Sequence, residues 1–161
     1  MIPEKTRYYL LQGLSATPGV IAFMLLAVPN PPWDRRPDPE RFTLREILAH
    51  LADWEREWLN RLTAIRDRDR PTVQAYDEGV WAVEHGYAHA DPEEQLVSFR
   101  QRRGELIRFL EALAPEQWDR TGIHPEFGPM SVRDWAALIL GHDGYHARQV
   151  AEWLSLPAGT D

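Results

Sequence analysis

The feature that most constrains this chain is a set of apolar stripes at helical spacing, each behind an explicit helix-start signal. Thr43-x-x-Glu46 has the form of a capping box, in which the hydroxyl accepts from an orphan backbone N–H and the carboxylate reaches back to the cap. The stripe behind it runs Leu44, Ile47, Leu48, Leu51, Trp54, Trp58, Leu62. Asp91-Pro92-Glu93-Glu94 puts a carboxylate at the cap, proline at the first helical position and acids in the first turn, ahead of Leu96, Phe99, Leu106, Leu110 and Leu113. Ser131-Val132-Arg133-Asp134 is a weaker version of the same device, ahead of Trp135, Ile139, Val150 and Trp153. Thr17-Pro18 can cap a first helix running to about Val28, preceded by another turn or two. No stretch alternates at period two for long enough to suggest a sheet. The expectation is an all-α chain: a four-helix bundle of up-down-up-down type, one domain over residues 1–161. A short extra helix is expected around Tyr76 to Glu84, between the second and third major helices. The Pro-rich stretches from Pro29 to Arg41 and from Pro115 to Met130 read as connections.

Composition narrows the function classes. Apolar residues make up 43% of the chain and include seven Trp, which is ample for one core. The balance is acidic, 25 Asp and Glu against 18 Lys and Arg, and a net charge of −7 argues against a nucleic-acid partner held by phosphate contacts. There is no cysteine, so a metal site must be built from His, Asp, Glu, backbone oxygen and water. The start MIPEKTRYYL lacks a signal-peptide apolar region, and the longest apolar run, Val20 to Val28, falls short of the ~20 residues of a membrane span. The expectation is a soluble, cytoplasmic protein with no membrane partner.

Of six histidines, two pairs have i, i+4 spacing, His85/His89 and His142/His146. That spacing puts both imidazoles on one helix face, where they can share a metal. His142 and His146 continue a stripe that otherwise faces the core. Two neutral imidazoles stacked there are costly unless each nitrogen has a partner, and a divalent ion meets that cost. The plain alternative is two core histidines satisfied by hydrogen bonds. His85 and His89, beside Gly86 and just before a helix start, read as surface or loop residues. His50, on the shoulder of its stripe, is the natural third ligand. Three histidines leave coordination positions open, as catalytic sites do and closed structural sites do not.

Asp143 follows His142 where an H-E-x-x-H zinc protease would have Glu, so that mechanism is not indicated. Asp143 or Asp53 either orients an imidazole or faces solvent. Arg100 and Arg103 interrupt the third stripe. They either offer a cation to a substrate carboxylate or form an ion pair with a helix-two acid such as Glu55 or Glu57. His124 is a candidate lid residue, Tyr145 and Gln149 flank the ligands on the substrate or partner side, and Trp54, Trp58 and Trp135 read as core.

Thr17-Pro18, the segment from Phe42 to Glu55, Gly128-Pro129-Met130-Ser131-Val132 and the segment from Gly141 to Val150 together resemble the DinB/YfiT-like superfamily of metal-binding four-helix bundles. The resemblance spans nearly the whole chain. It implies a three-histidine site at His50, His142 and His146 for zinc, nickel or a similar divalent ion, and a homodimer. It does not imply one reaction, because similar proteins include thiol transferases using bacillithiol, a mycothiol-dependent isomerase and members with no known activity. The functional expectation is a divalent-metal-dependent enzyme acting on a small molecule. Its reaction would be hydrolysis or thiol S-transfer, the latter with a low-molecular-weight thiol as cosubstrate. The alternatives are a metal-retaining binding or stress-response protein without turnover, and a metal-free bundle whose role is dimerisation.

Overall fold

A computed structural model describes residues 2–156 of the chain. Its helices are α1 (Glu4–Leu26), α2 (Leu44–Asp67), the short α3 (Glu78–Glu84), α4 (Pro92–Glu111) and α5 (Val132–Ser155). Three of the starts carry the caps that the sequence spells out. The Thr43 hydroxyl accepts from Glu46 N at 3.2 Å and the Glu46 carboxylate accepts from Thr43 N at 2.8 Å. Asp91 accepts from the amides of Glu93 and Glu94, both at 2.9 Å. Ser131 and Asp134 close the third box.

The first helix departs from expectation. Thr17-Pro18 does not start it, because Pro18 lies inside α1 and the Thr17 hydroxyl donates back to the Gly13 carbonyl at 3.2 Å. A mid-helix proline leaves the carbonyl four residues earlier without its N–H partner. Here that carbonyl is Leu14, and the buried Arg103 of α4 donates to it at 2.8 Å. On length and mean hydropathy (1.5), α1 is also apolar enough to cross a membrane. Leu14, Ile21 and Leu25 are nonetheless packed into the bundle.

The four long helices form the expected bundle, packed in the cyclic order α1–α4–α2–α5. Side-chain contacts set their sense. Arg102 reaches Ala52 and Arg66 lies over Phe109, so α2 and α4 run parallel. His50 meets His146, and Trp58 meets Trp135, so α2 and α5 run antiparallel. Gly13 approaches Leu140 while Ile21 and Leu25 share a cluster with Val150 and Trp153, so α1 and α5 run parallel. The sense is therefore up-down-down-up, not the up-down-up-down order expected. The reason is residues 68–91, which are long enough to carry the chain back along the bundle before α4 begins. The short α3 in that return segment is as expected.

The stretch read as a connection before α5 holds an antiparallel hairpin, β1 (Thr121–His124) and β2 (Gly128–Ser131), paired Thr121 to Ser131 and His124 to Gly128. Gly122 is required there: a Cβ would sit 2.7 Å from Ile65 Cγ1 and 3.1 Å from the Pro71 carbonyl. The backbone of Ile123 exchanges bonds with Pro71 O and Val73 N, tying the return segment to the hairpin.

The core has two apolar ends. One gathers Trp58, Leu62, Leu106, Trp118, Trp135 and Ile139; the other gathers Ile21, Leu48, Leu51, Phe99, Val150 and Trp153. Between them lies a layer of buried polar side chains: His50, Glu55, Arg103, Asp143, His146 and Gln149.

Candidate metal centre

That polar layer contains the site. α2 contributes His50 and the antiparallel α5 contributes His142 and His146, one turn apart. One nitrogen from each of the three lies within 4.8 Å of the other two. His50 Nε2 and His142 Nε2 are 2.8 Å apart. The His146 ring centre is 4.8 Å from that of His50 and 4.6 Å from that of His142. His50 is fully buried and His146 is 3% exposed. Desolvation, with His142 close by, drives His50 well below its ordinary pKa, and the same causes push His146 down to about 3. Both are therefore neutral at pH 7, the state in which imidazole ligates a metal.

The supporting shell is specific. His146 Nδ1 is 3.2 Å from Gln149 Oε1, and Gln149 Nε2 donates to the Phe42 carbonyl at 3.1 Å. With its amide nitrogen so committed, Gln149 offers His146 an acceptor. That fixes the proton on Nδ1 and leaves the Nε2 lone pair for the shared centre. Asp143 Oδ1 stands 3.9 Å from His142 Nδ1. Asp143 is itself held by Arg103, whose Nη1 and Nη2 reach its carboxylate at 2.5 and 3.0 Å. Glu55 takes the other edge of the same guanidinium, at 2.9 and 2.5 Å. The donor set thus fits a divalent ion of the zinc class: three imidazole nitrogens, no acid among them, and a buried carboxylate behind one ligand.

The other sequence candidates sort clearly. Asp143, of its two readings, sits behind His142, while Gln149, expected on the substrate or partner side, sits behind His146. Arg103 is the ion-paired residue of the two readings, because its N–H groups are spent on Glu55, Asp143 and Leu14. Asp53 orients no imidazole; it accepts from Trp81 Nε1 at 2.8 Å, Tyr87 OH at 3.1 Å and Arg56, joining α2 to the return segment. His124 is not a lid residue. Its Nδ1 caps the hairpin turn, accepting from Glu126 N and Phe127 N at 3.1 and 3.3 Å. Tyr145 is half-exposed and meets His146 edge-on at 5.0 Å. Arg100 lines a groove between α1 and α4, away from the histidines. His85 and His89 are exposed, as read, with His85 stacked 4.1 Å from Trp81. Sequence reasoning passed over Arg41, which borders a cavity of about 180 Å³ with Phe42, Glu78, Tyr145, His146 and Gln149. It also passed over Arg61. The available signal for Arg61 was its spacing from Trp54 and Trp58 on the apolar stripe of α2.

The depressed imidazoles predict a pH effect on the metal-free protein. An unfolded histidine titrates near 6.5, so below that pH the unfolded chain binds protons that folded His50 and His146 refuse. Stability then falls as pH falls, down toward the folded values. At pH 5.5 His146 contributes a loss of about 1.4 kcal/mol relative to pH 8, and His50 adds to it in the same direction. Urea unfolding in the presence of a chelator checks this. His146→Leu should remove its share of the loss, and an unchanged pH dependence in that variant would contradict the burial argument.

The fold and the site define a class, four-helix bundles in which imidazoles from two antiparallel helices converge on a point that could hold a metal ion. The chain belongs to the DinB superfamily, whose family model matches residues 16–150. Among curated proteins it is similar to three that carry the name "Putative metal-dependent hydrolase", YfiT and OB0782 among them. YfiT of Bacillus subtilis is 24% identical over 69% of this chain and 63% of its own length. OB0782 of Oceanobacillus iheyensis is 27% identical over 68% of this chain and 63% of its own. The match thus spans a little under two thirds of these relatives. A solved structure of B. subtilis YfiT, described as having an unusual four-helix bundle topology, superposes with a TM-score of 0.86 at 21% identity, covering 95% of this chain and 88% of that one.

Proposed function

We propose that this protein is a divalent-metal-dependent hydrolase of a small molecule, with His50, His142 and His146 as the metal ligands. The observation that carries the reading is the convergence within 4.8 Å of three imidazoles, two of them buried and neutral, with no acid among the described residues closing the set. A zinc-class ion held there supplies Lewis acidity, lowering the pKa of water toward neutrality and polarising a carbonyl or phosphoryl oxygen.

The chain's own residues supply the rest. Gln149 holds the His146 proton on Nδ1, and the Asp143 carboxylate stands 3.9 Å from His142 Nδ1, behind that ligand. Phe42, Trp54 and Tyr87 pack round His50 with ring centres 5.2, 5.5 and 6.2 Å away, keeping bulk water off that ligand. The cavity of about 180 Å³ beside His146 suits a small substrate better than a drug-sized one. The names of the relatives support hydrolysis over thiol transfer, which remains the second arm of the test.

The experiment is a screen of zinc- and nickel-loaded protein. One arm offers small esters, amides and phosphoesters; the other offers cysteine-type thiols with an aryl halide acceptor. Turnover in the first arm, lost in His142→Ala, is expected. Turnover in the thiol arm alone would replace hydrolysis by transfer, and none in either arm at full metal loading would leave a metal-retaining protein.

A further inference from the structure

We propose that Arg61 binds the anionic end of the substrate, and that the substrate is a small carboxylate carried on a flat or apolar body. This rests on the metal-dependent reading above and adds a substrate class to it. Arg61 lies on α2 beyond His50, Trp54 and Trp58, and is 6% exposed. Its guanidinium carbon stands 5.1 Å from the Trp54 ring centre, 5.2 Å from Trp58, 5.6 Å from Tyr76 and 5.3 Å from Trp135. Its hydrogen bond is Nη2 to the Gln74 carbonyl at 2.7 Å, and Nε is buried without an acceptor.

Among the described residues no carboxylate pairs with it, although Glu57 and Glu78 act on it from a distance. Arg103, buried to a similar degree, shows what a structural arginine looks like in this protein: two carboxylates and a carbonyl spend its donors. An unpaired buried cation is costly, and cation–π contact with several rings offsets only part of that cost. A fold with seven Trp could fill the space with an apolar side chain more cheaply.

The surroundings say what would complete it. Trp54 Nε1 and Trp135 Nε1 are also buried without acceptors. Arg61 and two of the indoles in ring contact with it thus carry three unpartnered groups, and all three are donors. A carboxylate is acceptor-only, presents two oxygens to a guanidinium fork, and is the complement of such a lining. The indoles supply faces for a ring or an apolar body. The position also neighbours the histidine cluster: Trp54 lies 5.5 Å from His50 and Trp58 lies 5.6 Å from His142, so one indole separates the guanidinium from each of two ligands. Gln74, exposed, and Tyr76, half-buried, belong to the non-helical return segment, so this side of the cage lies at the surface.

The test uses benzoate as probe and benzamide as its neutral isostere, followed by tryptophan fluorescence and calorimetry on metal-free and zinc-loaded protein. Benzoate should bind the metal-free protein, with benzamide at least about tenfold weaker, and Arg61→Met should weaken benzoate by about 10- to 100-fold. Zinc affinity should stay within about twofold, and the Tm of Arg61→Met should hold or rise, since an apolar side chain replaces an unpaired cation. Arg61→Lys, which keeps the charge and loses the fork, should fall between the two and stands in if the Met variant does not fold. Equal binding of benzoate and benzamide, no benzoate binding up to tens of millimolar, or unchanged benzoate affinity in Arg61→Met would each overturn the proposal. The benzoate arm is read without metal, so failure of zinc to bind is a separate result that counts against the metal-dependent reading alone.

Discussion

Replacing Arg103 by Met is expected to lower stability by about 3–5 kcal/mol at pH 7, the usual cost of removing one partner from a buried ion pair. The reason is what remains. Glu55 and Asp143 are both about 1% exposed at the side chain and grip the same guanidinium from two sides. Burial already holds the Glu55 carboxyl above its usual range, and the Arg103 contact does not fully reverse this. Asp143 goes the other way, because the nearby His142 and the hydrogen bonds from Arg103 outweigh its desolvation. Without Arg103, two carboxylates would face each other in the core, and both would titrate above their unfolded values.

The sign of the pH effect follows. Folded carboxyls with raised pKa values bind more protons than the unfolded chain does, so the variant loses stability as pH rises and recovers part of it on acidification. Urea unfolding of Arg103→Met and the parent at pH 5, 7 and 8 reads this directly. A deficit below about 1 kcal/mol, or one equal at all three pH values, would show that the layer is not the ion-paired network described.

The second large effect is on the metal. Zinc at 100 times its Kd should stabilise the protein by about 2.7 kcal/mol, which in a domain of this size is a rise in Tm of about 5–10 °C. His50→Ala and His146→Ala should each abolish that rise. The two come from different helices, so neither i, i+4 pair chemistry on α5 nor an adventitious surface site would respond to both. A zinc-induced rise preserved in His50→Ala would move the site off α2.

How much of this could be read in advance depended on whether the cause was local. The caps at Thr43, Asp91 and Ser131 were legible because a cap is satisfied within three residues. His142 and His146 stood out because one helix turn brings them together, and His50 followed from its place on a buried stripe. Pro18 was misread for a physical reason. A mid-helix proline is normally costly, and the compensation comes from Arg103, 85 positions away in sequence, which takes the carbonyl that proline frees. The hairpin escaped because four-residue strands carry too little period to register, and because close packing against Ile65 and Pro71, not alternation, demands Gly122. Bundle sense was hidden in residues 68–91, whose length allows a return but does not state one. Asp53 shares a helix with His50, yet Trp81 and Tyr87 claim its oxygens from outside the bundle, which no spacing along α2 reveals.

The central claim is that His50, His142 and His146 hold one divalent ion together. Elemental analysis of protein purified without an affinity tag or added metal, beside His142→Ala, tests it most directly. About one zinc-class ion per chain, absent from the variant, is the predicted result. No metal in the native protein and none taken up on titration with zinc or nickel, or full retention in His142→Ala, would contradict it.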